Sequence, residues 1–314
     1  MSWASLAALV VAAAVCGCAA VNRRHPADTG PEGDPTIERQ ASCWPATKDR
    51  DDQPGRDVIA RPTRVRLVTA NVHGSSGRVI AHAFLADPVL HCADILFLQE
   101  IEHYHRDQPS EAGRLARALG LSYAYAPGYG LDDGGSHGVA IVSRFPLSDI
   151  HVVELPYIGV HVNSARRIAV AAIAHINETE IQLYSVHLDN RINPAQRIAQ
   201  MTPVFDDARA HGDLPAIMGG DLNTSPFCWL LHLVPVPCGR QTGRLEAFAR
   251  QRGFATPVRH SGATSEWLGM RLDALYTRAI EVIDFDVARS VRISDHLPLW
   301  IDFRLSDRDG HTAE

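Results

Sequence analysis

Residues 167–187 read RIAVAAIAHINETEIQLYSVH: two apolar runs rich in β-branched residues, broken by the polar tetrapeptide Asn177-Glu178-Thr179-Glu180. Such runs are strands, and so short a polar break joins them as an antiparallel hairpin, which excludes an all-parallel sheet. Working outward, the same reading predicts strands at Val65–Asn71, Ile95–Glu100, Ser122–Ala126, Gly138–Ser143, Ile150–Leu155, Pro215–Gly219, Leu272–Thr277, Ile280–Val287 and Leu297–Arg304. Helical patterns fall at Ser76–Cys92, Ser110–Leu119, Pro194–His211 and Gly243–Arg252. No internal repeat or low-complexity tract interrupts the alternation. The fold class is α/β, with two mixed sheets face to face and helices outside.

A chain of 314 residues at 46% hydrophobic composition can bury one sizeable core, so a single catalytic domain with a leader is the economical count. Residues 1–20 form an apolar run that ends in small residues and is followed by Asn22-Arg23-Arg24-His25, the pattern of an export signal. Within it Val15-Cys16-Gly17-Cys18 resembles the lipobox of bacterial lipoproteins and makes Cys18 the candidate lipidated residue; ordinary cleavage near Ala20 and a retained membrane anchor are the alternatives. All three place the folded domain outside the cytoplasm. Residues 21–60 are rich in Pro, Asp, Arg and Gly and are expected to be a disordered tether, 61–306 the domain and 307–314 a tail. In an oxidising compartment Cys228 and Cys238 are close enough in sequence to bridge one loop, whereas Cys92, among apolar residues, is expected to be a buried thiol.

The net charge of −6 gives no basic footprint for holding nucleic acid. Lysine and arginine number 30 together, and Lys48 is the only lysine. Phosphate substrates are not excluded, because a bound cation can supply the positive charge that side chains lack.

Function is read from the ends of the apolar strands. Asn71 closes Val65–Ala70, Glu100 closes Ile95–Gln99, His187 follows Leu183–Val186, Asp221 and Asn223 follow Ala216–Gly220, and Asp295-His296 precedes Leu297–Trp300. Singly, Asn and Asp at such positions are turn or cap residues. Together and in order, Thr69-Ala70-Asn71-Val72, Leu98-Gln99-Glu100, Gly138–Pro146, Ser185-Val186-His187-Leu188, Gly220-Asp221-Leu222-Asn223, Arg271-Leu272-Asp273 and Ser294-Asp295-His296 resemble the endonuclease/exonuclease/phosphatase superfamily over roughly residues 61–305.

The resemblance implies a DNase I-like four-layer sandwich and a phosphoester hydrolase that uses Mg²⁺, with Mn²⁺ possible. It implies Glu100 as metal carboxylate, Asn71 as an amide-oxygen ligand, and Asp295 or Asp221 completing or flanking the site. A histidine held by a carboxylate can accept a proton from water; by resemblance that pair is His296 with Asp273, and Asp221 aided by Asn223 competes for the same role. His187 is implied as donor to the phosphate or acid to the leaving group. His137 and Arg166 are candidate phosphate contacts; His73 and the other histidines are expected at the surface or in strand packing. A phosphodiester of nucleic acid or of a phospholipid head group is the expected substrate, with a phosphomonoesterase and a non-catalytic binding lipoprotein as alternatives. The expected associations are the substrate and the membrane through the lipid anchor, with no obligate protein partner. Phe227-Cys228-Trp229-Leu230-Leu231 is the one apolar segment suited to a bilayer, and core packing is its expected fate.

Overall fold

The computed structural model describes residues 28–29, 64–104, 109–131, 134–160, 165–239, 241–265 and 269–305. The leader, Cys18, nearly all of the segment 21–60 and the tail lie outside the described residues. The strands are β1 (Asp28–Thr29), β2 (Val65–Asn71), β3 (Ile95–His103), β4 (Ser122–Gly130), β5 (Ser136–Ser143), β6 (Leu147–Glu154), β7 (Ile168–Ile176), β8 (Thr179–His187), β9 (Ala216–Asp221), β10 (Phe227–Leu230), β11 (Val234–Pro237), β12 (Asp273–Arg278), β13 (Glu281–Val287) and β14 (Leu299–Arg304). The helices are α1 (Gly77–Ala86), α2 (Glu111–Leu119), α3 (Pro194–Ala210) and α4 (Gln241–Gln251).

Two mixed sheets carry the fold, in the orders β1-β4-β5-β3-β2-β14-β13 and β12-β9-β8-β7-β6. Each holds one parallel pair, β2 with β3 and β8 with β9. A parallel pair needs a crossover, and α1 and α3 supply the two. Strand alternation sorts the side chains: Leu67 and Phe97 enter the core between the sheets with Val170 and Ile217, while Val68 and Leu96 pack outward with Ile80 and Phe84 of α1 and Leu115 of α2. On the far face Met201, Val204 and Phe205 of α3 join Leu245 and Ala249 of α4 against the second sheet. This is the expected sandwich of helices, sheet, sheet and helices.

The predicted helix over Ser76–Cys92 stops at Ala86, and only a 3-10 turn, Leu90–Cys92, follows. Pro88 forbids continuation, Asp87 turns extended with ψ 130°, and its carboxylate takes the main-chain N–H groups of Val89 and Leu90 at 2.9 Å each. The expected Cys228–Cys238 disulfide is formed, and Cys92 is a buried thiol beside His91 Nε2 at 3.1 Å.

The segment after Asp221 departs from expectation. Phe227–Leu231 does not enter the core but forms the two-stranded hairpin of β10 and β11, with Leu230 58% and Leu231 72% exposed beside Leu233, Val234 and Val236. The disulfide closes the hairpin at its base, and Pro235 and Pro237 within β11 lack the N–H groups that another strand would need, so these apolar side chains have no sheet to join. Asn193 anchors the hairpin from below, accepting from Trp229 N at 2.7 Å and donating to Trp229 O at 3.1 Å.

At β9 a glycine is required by close neighbours in both sheets. Gly220, at φ 141°, sits where a Cβ would lie 2.1 Å from Val186 O and 2.7 Å from the Gln99 amide nitrogen. Gln99 is itself buried and crosses from β3 to β8, donating to Ser185 Oγ at 3.1 Å. Gly220→Ala is therefore expected to lower the unfolding free energy by about 3 kcal/mol or more. Gly212→Ala, at φ 78° with no atom within 4 Å of the added carbon, should cost only about 1 kcal/mol. Urea midpoints measure both; a parent-like midpoint for Gly220→Ala would contradict the close approach.

Candidate active site

The polar residues that end the strands meet at one end of the sandwich. Asn71 and Glu100 come from the parallel pair of the first sheet, and His187 and Asp221 from that of the second, where they lie directly opposite each other. Asp273, first residue of β12, pairs in register with Asp221, and His296 enters from the turn before β14.

Asn71 Nδ2 donates to Glu100 Oε1 at 2.9 Å and to Asp221 Oδ2 at 3.0 Å, so one amide joins carboxylates of both sheets. Its oxygen accepts from His73 N at 3.0 Å. The amide nitrogen thus lies against the two carboxylates, while the oxygen, the expected metal ligand, takes one main-chain N–H and keeps its second lone pair. His187 Nε2 lies 3.5 Å from Asp221 Oδ2 and 3.7 Å from Glu100 Oε1. Asn223 N donates to Asp221 Oδ1 at 2.9 Å, and Asn223 Nδ2 spans Asp221 Oδ2 and Leu188 O. His296 Nδ1 meets Asp273 Oδ2 at 2.9 Å, with Nε2 3.8 Å from Asp221 Oδ2.

The other predicted residues divide. His137 Nε2 is 3.8 Å from Glu100 Oε2, its ring stacked on Tyr129. Asp295 stands exposed at the rim and accepts from Ser294 Oγ at 3.1 Å. Arg166 does not face the cluster: it pairs with Glu154 and donates to Pro127 O and Gly128 O. Its neighbour Arg167 takes the inward place, because successive residues of an extended chain face opposite ways. Arg167 Nη1 reaches His187 at 3.3 Å and Nε donates to Asp189 Oδ1 at 2.8 Å. The sequence reading also missed His73, whose Nδ1 lies 3.1 Å from Glu100 Oε2; its position two residues after Asn71, on the same turn, was the available signal.

The electrostatics follow from burial. Desolvation drives the Glu100 carboxyl up, but His137 and His73 beside it overcome this and hold it well below the ordinary value. Desolvation, aided by Asp273 and Glu100, pushes Asp221 up to about 6 against the pull of His296 and Asn71. Burial and then Arg167 hold His187 well below the usual histidine range, so its ring is neutral. His296 is raised well above that range because Asp273 and Asp221 outweigh its desolvation; it keeps its proton.

The donor set suits a hard divalent cation. Glu100, Asp221 and Asp273 are three carboxylates in one cleft, two groups of which, Glu100-His187-Asp221 and Asp221-Asp273-His296, have ligand atoms within 4.8 Å of one another. Asp273 Oδ1 is buried with no hydrogen-bond partner among the described residues.

Comparison with known proteins bears on the family and the fold. The Endonuclease/Exonuclease/phosphatase family matches residues 68–296. No curated protein matches the chain. Among solved structures, an endonuclease/exonuclease/phosphatase from Beutenbergia cavernae superposes with a TM-score of 0.61 at 20% identity over 77% of this chain and 72% of that one. An endonuclease/exonuclease/phosphatase family protein from Leptotrichia buccalis gives 0.59 at 14% identity over 77% and 100%. The human Nocturnin catalytic domain, with bound sulfate anion, gives 0.57 at 19% identity over 77% and 94%.

The two adjacent arginines should separate in stability. Arg167→Ala strands the buried Asp189 carboxylate and is expected to cost about 3 kcal/mol or more. Arg166→Ala releases the half-exposed Glu154 and should cost no more than about 1 kcal/mol. Urea denaturation of the two variants gives both values; equal losses would refute the inward assignment of Arg167.

Proposed function

We propose that this chain, which belongs to the endonuclease/exonuclease/phosphatase family, is a Mg²⁺-dependent phosphodiesterase acting outside the cytoplasm. The observation that carries the reading is the buried cluster in which Glu100, Asp221 and the Asp273–His296 pair converge around Asn71. Glu100 is the residue that would hold Mg²⁺, or Mn²⁺, beside Asp221 and Asn71, with Asp295 at the rim. The cation supplies positive charge against the phosphoryl oxygens and the leaving oxygen. Asp221, raised to about 6 and steadied by Asn223, is suited to take a proton from the attacking water. His296 already carries its proton and is kept oriented by Asp273, which fits it for stabilising the phosphoryl charge rather than for acting as base. His187, neutral and beside Arg167, offers an N–H to the phosphate or to the leaving oxygen.

One observation favours a lipid-borne diester over nucleic acid. The disulfide-closed hairpin places Leu230, Leu231, Leu233, Val234 and Val236 in solvent, in a segment between Phe227 and Cys238 that contains no charged residue other than His232 when protonated. An apolar tip of this kind can enter the outer region of a bilayer, and the domain offers no lysine for a nucleic-acid backbone. The lipid anchor at Cys18, as part of this reading, would keep the domain at a membrane.

Hydrolysis of bis(p-nitrophenyl) phosphate is expected to vanish in EDTA and return with Mg²⁺ or Mn²⁺. Asp221→Ala and His296→Ala should each lower turnover at least about 100-fold with an unchanged circular dichroism spectrum. Full activity in EDTA, or near-parent rates in both variants, overturns the mechanism.

On substrates, sphingomyelin or phosphatidylcholine vesicles should be cleaved faster than plasmid DNA. Leu230→Ser with Leu231→Ser is expected to lower the vesicle rate about 10-fold while leaving the soluble diester rate alone. Faster cleavage of DNA, or phosphate release from inositol phosphates alone, would move the assignment to the nuclease or the monoesterase.

A further inference from the structure

A second cluster of metal-ligating side chains shares no residue with the active site and lies where β6, the edge strand of the second sheet, meets α3. Asp149 and His151 come from β6, and Asp207 and His211 are one turn apart at the end of α3. His151 Nε2 lies 3.1 and 3.2 Å from the two Asp207 carboxylate oxygens. His211 Nε2 lies 3.0 Å from Asp149 Oδ2, and its Nδ1 3.5 Å from Asp207 Oδ2. One ligand atom each from His151, Asp207 and His211 fall within 4.8 Å of one another, and the two rings stack at 5.5 Å.

The proton count shows what this cluster lacks. His151 Nδ1 is 2.9 Å from the main-chain oxygen of Asp149, and His211 Nδ1 is 2.9 Å from that of Asp207. A carbonyl oxygen only accepts, so both Nδ1 atoms carry hydrogen, and in a neutral ring Nε2 is then a bare lone pair. Both Nε2 atoms face carboxylate oxygens, which also only accept. These contacts of acceptor with acceptor at hydrogen-bond distance require a cation: either a proton on each ring or one shared metal ion. An Nδ1–H held by a main-chain carbonyl is also the arrangement that presents Nε2 as a metal ligand.

The chemistry of the donors selects the ion. Two imidazoles with carboxylate oxygens suit Zn²⁺ better than Mg²⁺. Ligands about 2.0–2.1 Å from a tetrahedral zinc lie about 3.3 Å apart, close to the 3.0–3.2 Å separations of the two Nε2 atoms from the carboxylate oxygens. Tyr184, from the neighbouring face of the sheet, donates its hydroxyl to Asp207 Oδ2 at 2.8 Å and fixes the carboxylate's orientation. Asp149, at φ 47°, and His151 flank the bulge of β6 that follows Ser148.

We propose that His151, Asp207 and His211, with Asp149 as the fourth ligand, form a structural site for Zn²⁺ that fastens the open edge of the second sheet to α3. It is independent of the phosphodiesterase reading. An ion held only by the folded chain raises its stability.

The test uses the full chain, purified without an oligohistidine tag, stripped with chelator and then saturated with Mg²⁺. Calorimetric titration with Zn²⁺, and Co²⁺ titration followed by visible absorption, should each reveal one equivalent bound. His151→Gln with His211→Gln removes it, and Asp149→Asn, a half-exposed position, weakens it about 10-fold. Mg²⁺-supported diester hydrolysis stays at the parent rate in all these variants. Zn²⁺ should also raise the urea midpoint of the parent and not of the double variant. Equal Zn²⁺ binding by parent and double variant, an equivalent that disappears only in Glu100→Gln, or no uptake at all, with both rings simply protonated, overturns the proposal. Should the double variant not fold, Asp149→Asn alone decides: parent-like Zn²⁺ affinity refutes the site as drawn.

Discussion

The side-chain amide of Asn71 is the contact on which the active end of the molecule depends. Glu100 belongs to one sheet and Asp221 to the other, and both are acidic groups withdrawn from water. Carboxylates brought together in a low-dielectric cleft repel, and the sheets would separate there unless donors lay between them. From one nitrogen Asn71 binds Glu100 within its own sheet and Asp221 across that seam. Around it the approach is made possible by absence of bulk: Gly220 of β9 leaves no room for a Cβ beside Gln99, which carries a neutral polar link to Ser185 of the second sheet. The cleft is thus a place where two packed sheets are held a little closer than ordinary side chains permit.

Each sheet contributes through the same device, a parallel pair joined by a helix whose strands end in polar groups. The helix of the second unit is bound to its loops by Arg197, which is wholly buried and donates to the main-chain oxygens of Asp189, Asn190, Ile192 and Leu222 and to Gln241. Burial pulls its pKa down to about 9, so it still carries its charge at neutral pH. One guanidinium therefore satisfies the carbonyls of the segments that follow both His187 and Asp221, where loops would otherwise be free to move. Some backbone strain lies at the same end: Glu100 at φ 55°, Asn223 at 50° and His73 at 45° all occupy the left-handed region. Such conformations cost about 1–3 kcal/mol each and persist only where packing over-determines them. The bulge at Glu100 in β3 is one of these sites, and it interrupts the register with β5 at that residue.

What the sequence disclosed, and what it hid, divides along the range of the interactions involved. Asn71, His187 and Asp221 were visible as the polar residues that end apolar strands; Glu100 was found by the same signal although β3 runs on to His103, the expected end proving to be a bulge within the strand. The loop disulfide was legible for the same reason, its two cysteines being neighbours in sequence. The choice between Arg166 and Arg167 depends on which face of β7 looks inward, and either phase is compatible with an apolar run buried on both faces. Apolar character alone likewise could not tell that Phe227–Leu231 lacks a partner, since the prolines and the disulfide act by denying it a place in a sheet. The cluster of His151, Asp207 and His211 was invisible because its members meet only through tertiary packing and a bulge.

Charge balance links the site to its reading as a diesterase. Three carboxylates face inward, and the nearest described cations are the His296 imidazolium, already paired with Asp273, and Arg167, already paired with Asp189. A divalent ion added beside Glu100 would bring the cluster near neutrality with little positive charge to spare. A phosphodiester carries a single negative charge and asks only for that; a dianionic monoester asks for more, which elsewhere on the fold would have to come from arginines such as Arg166, here turned away to Glu154. The same economy bears on nucleic acid, whose many phosphates call for a basic surface that a chain of net charge −6 does not offer. On the proposed reading, a head group presented at a bilayer would bring one phosphate at a time, and the exposed tip between Leu230 and Val236 would give the domain an apolar means of staying beside it.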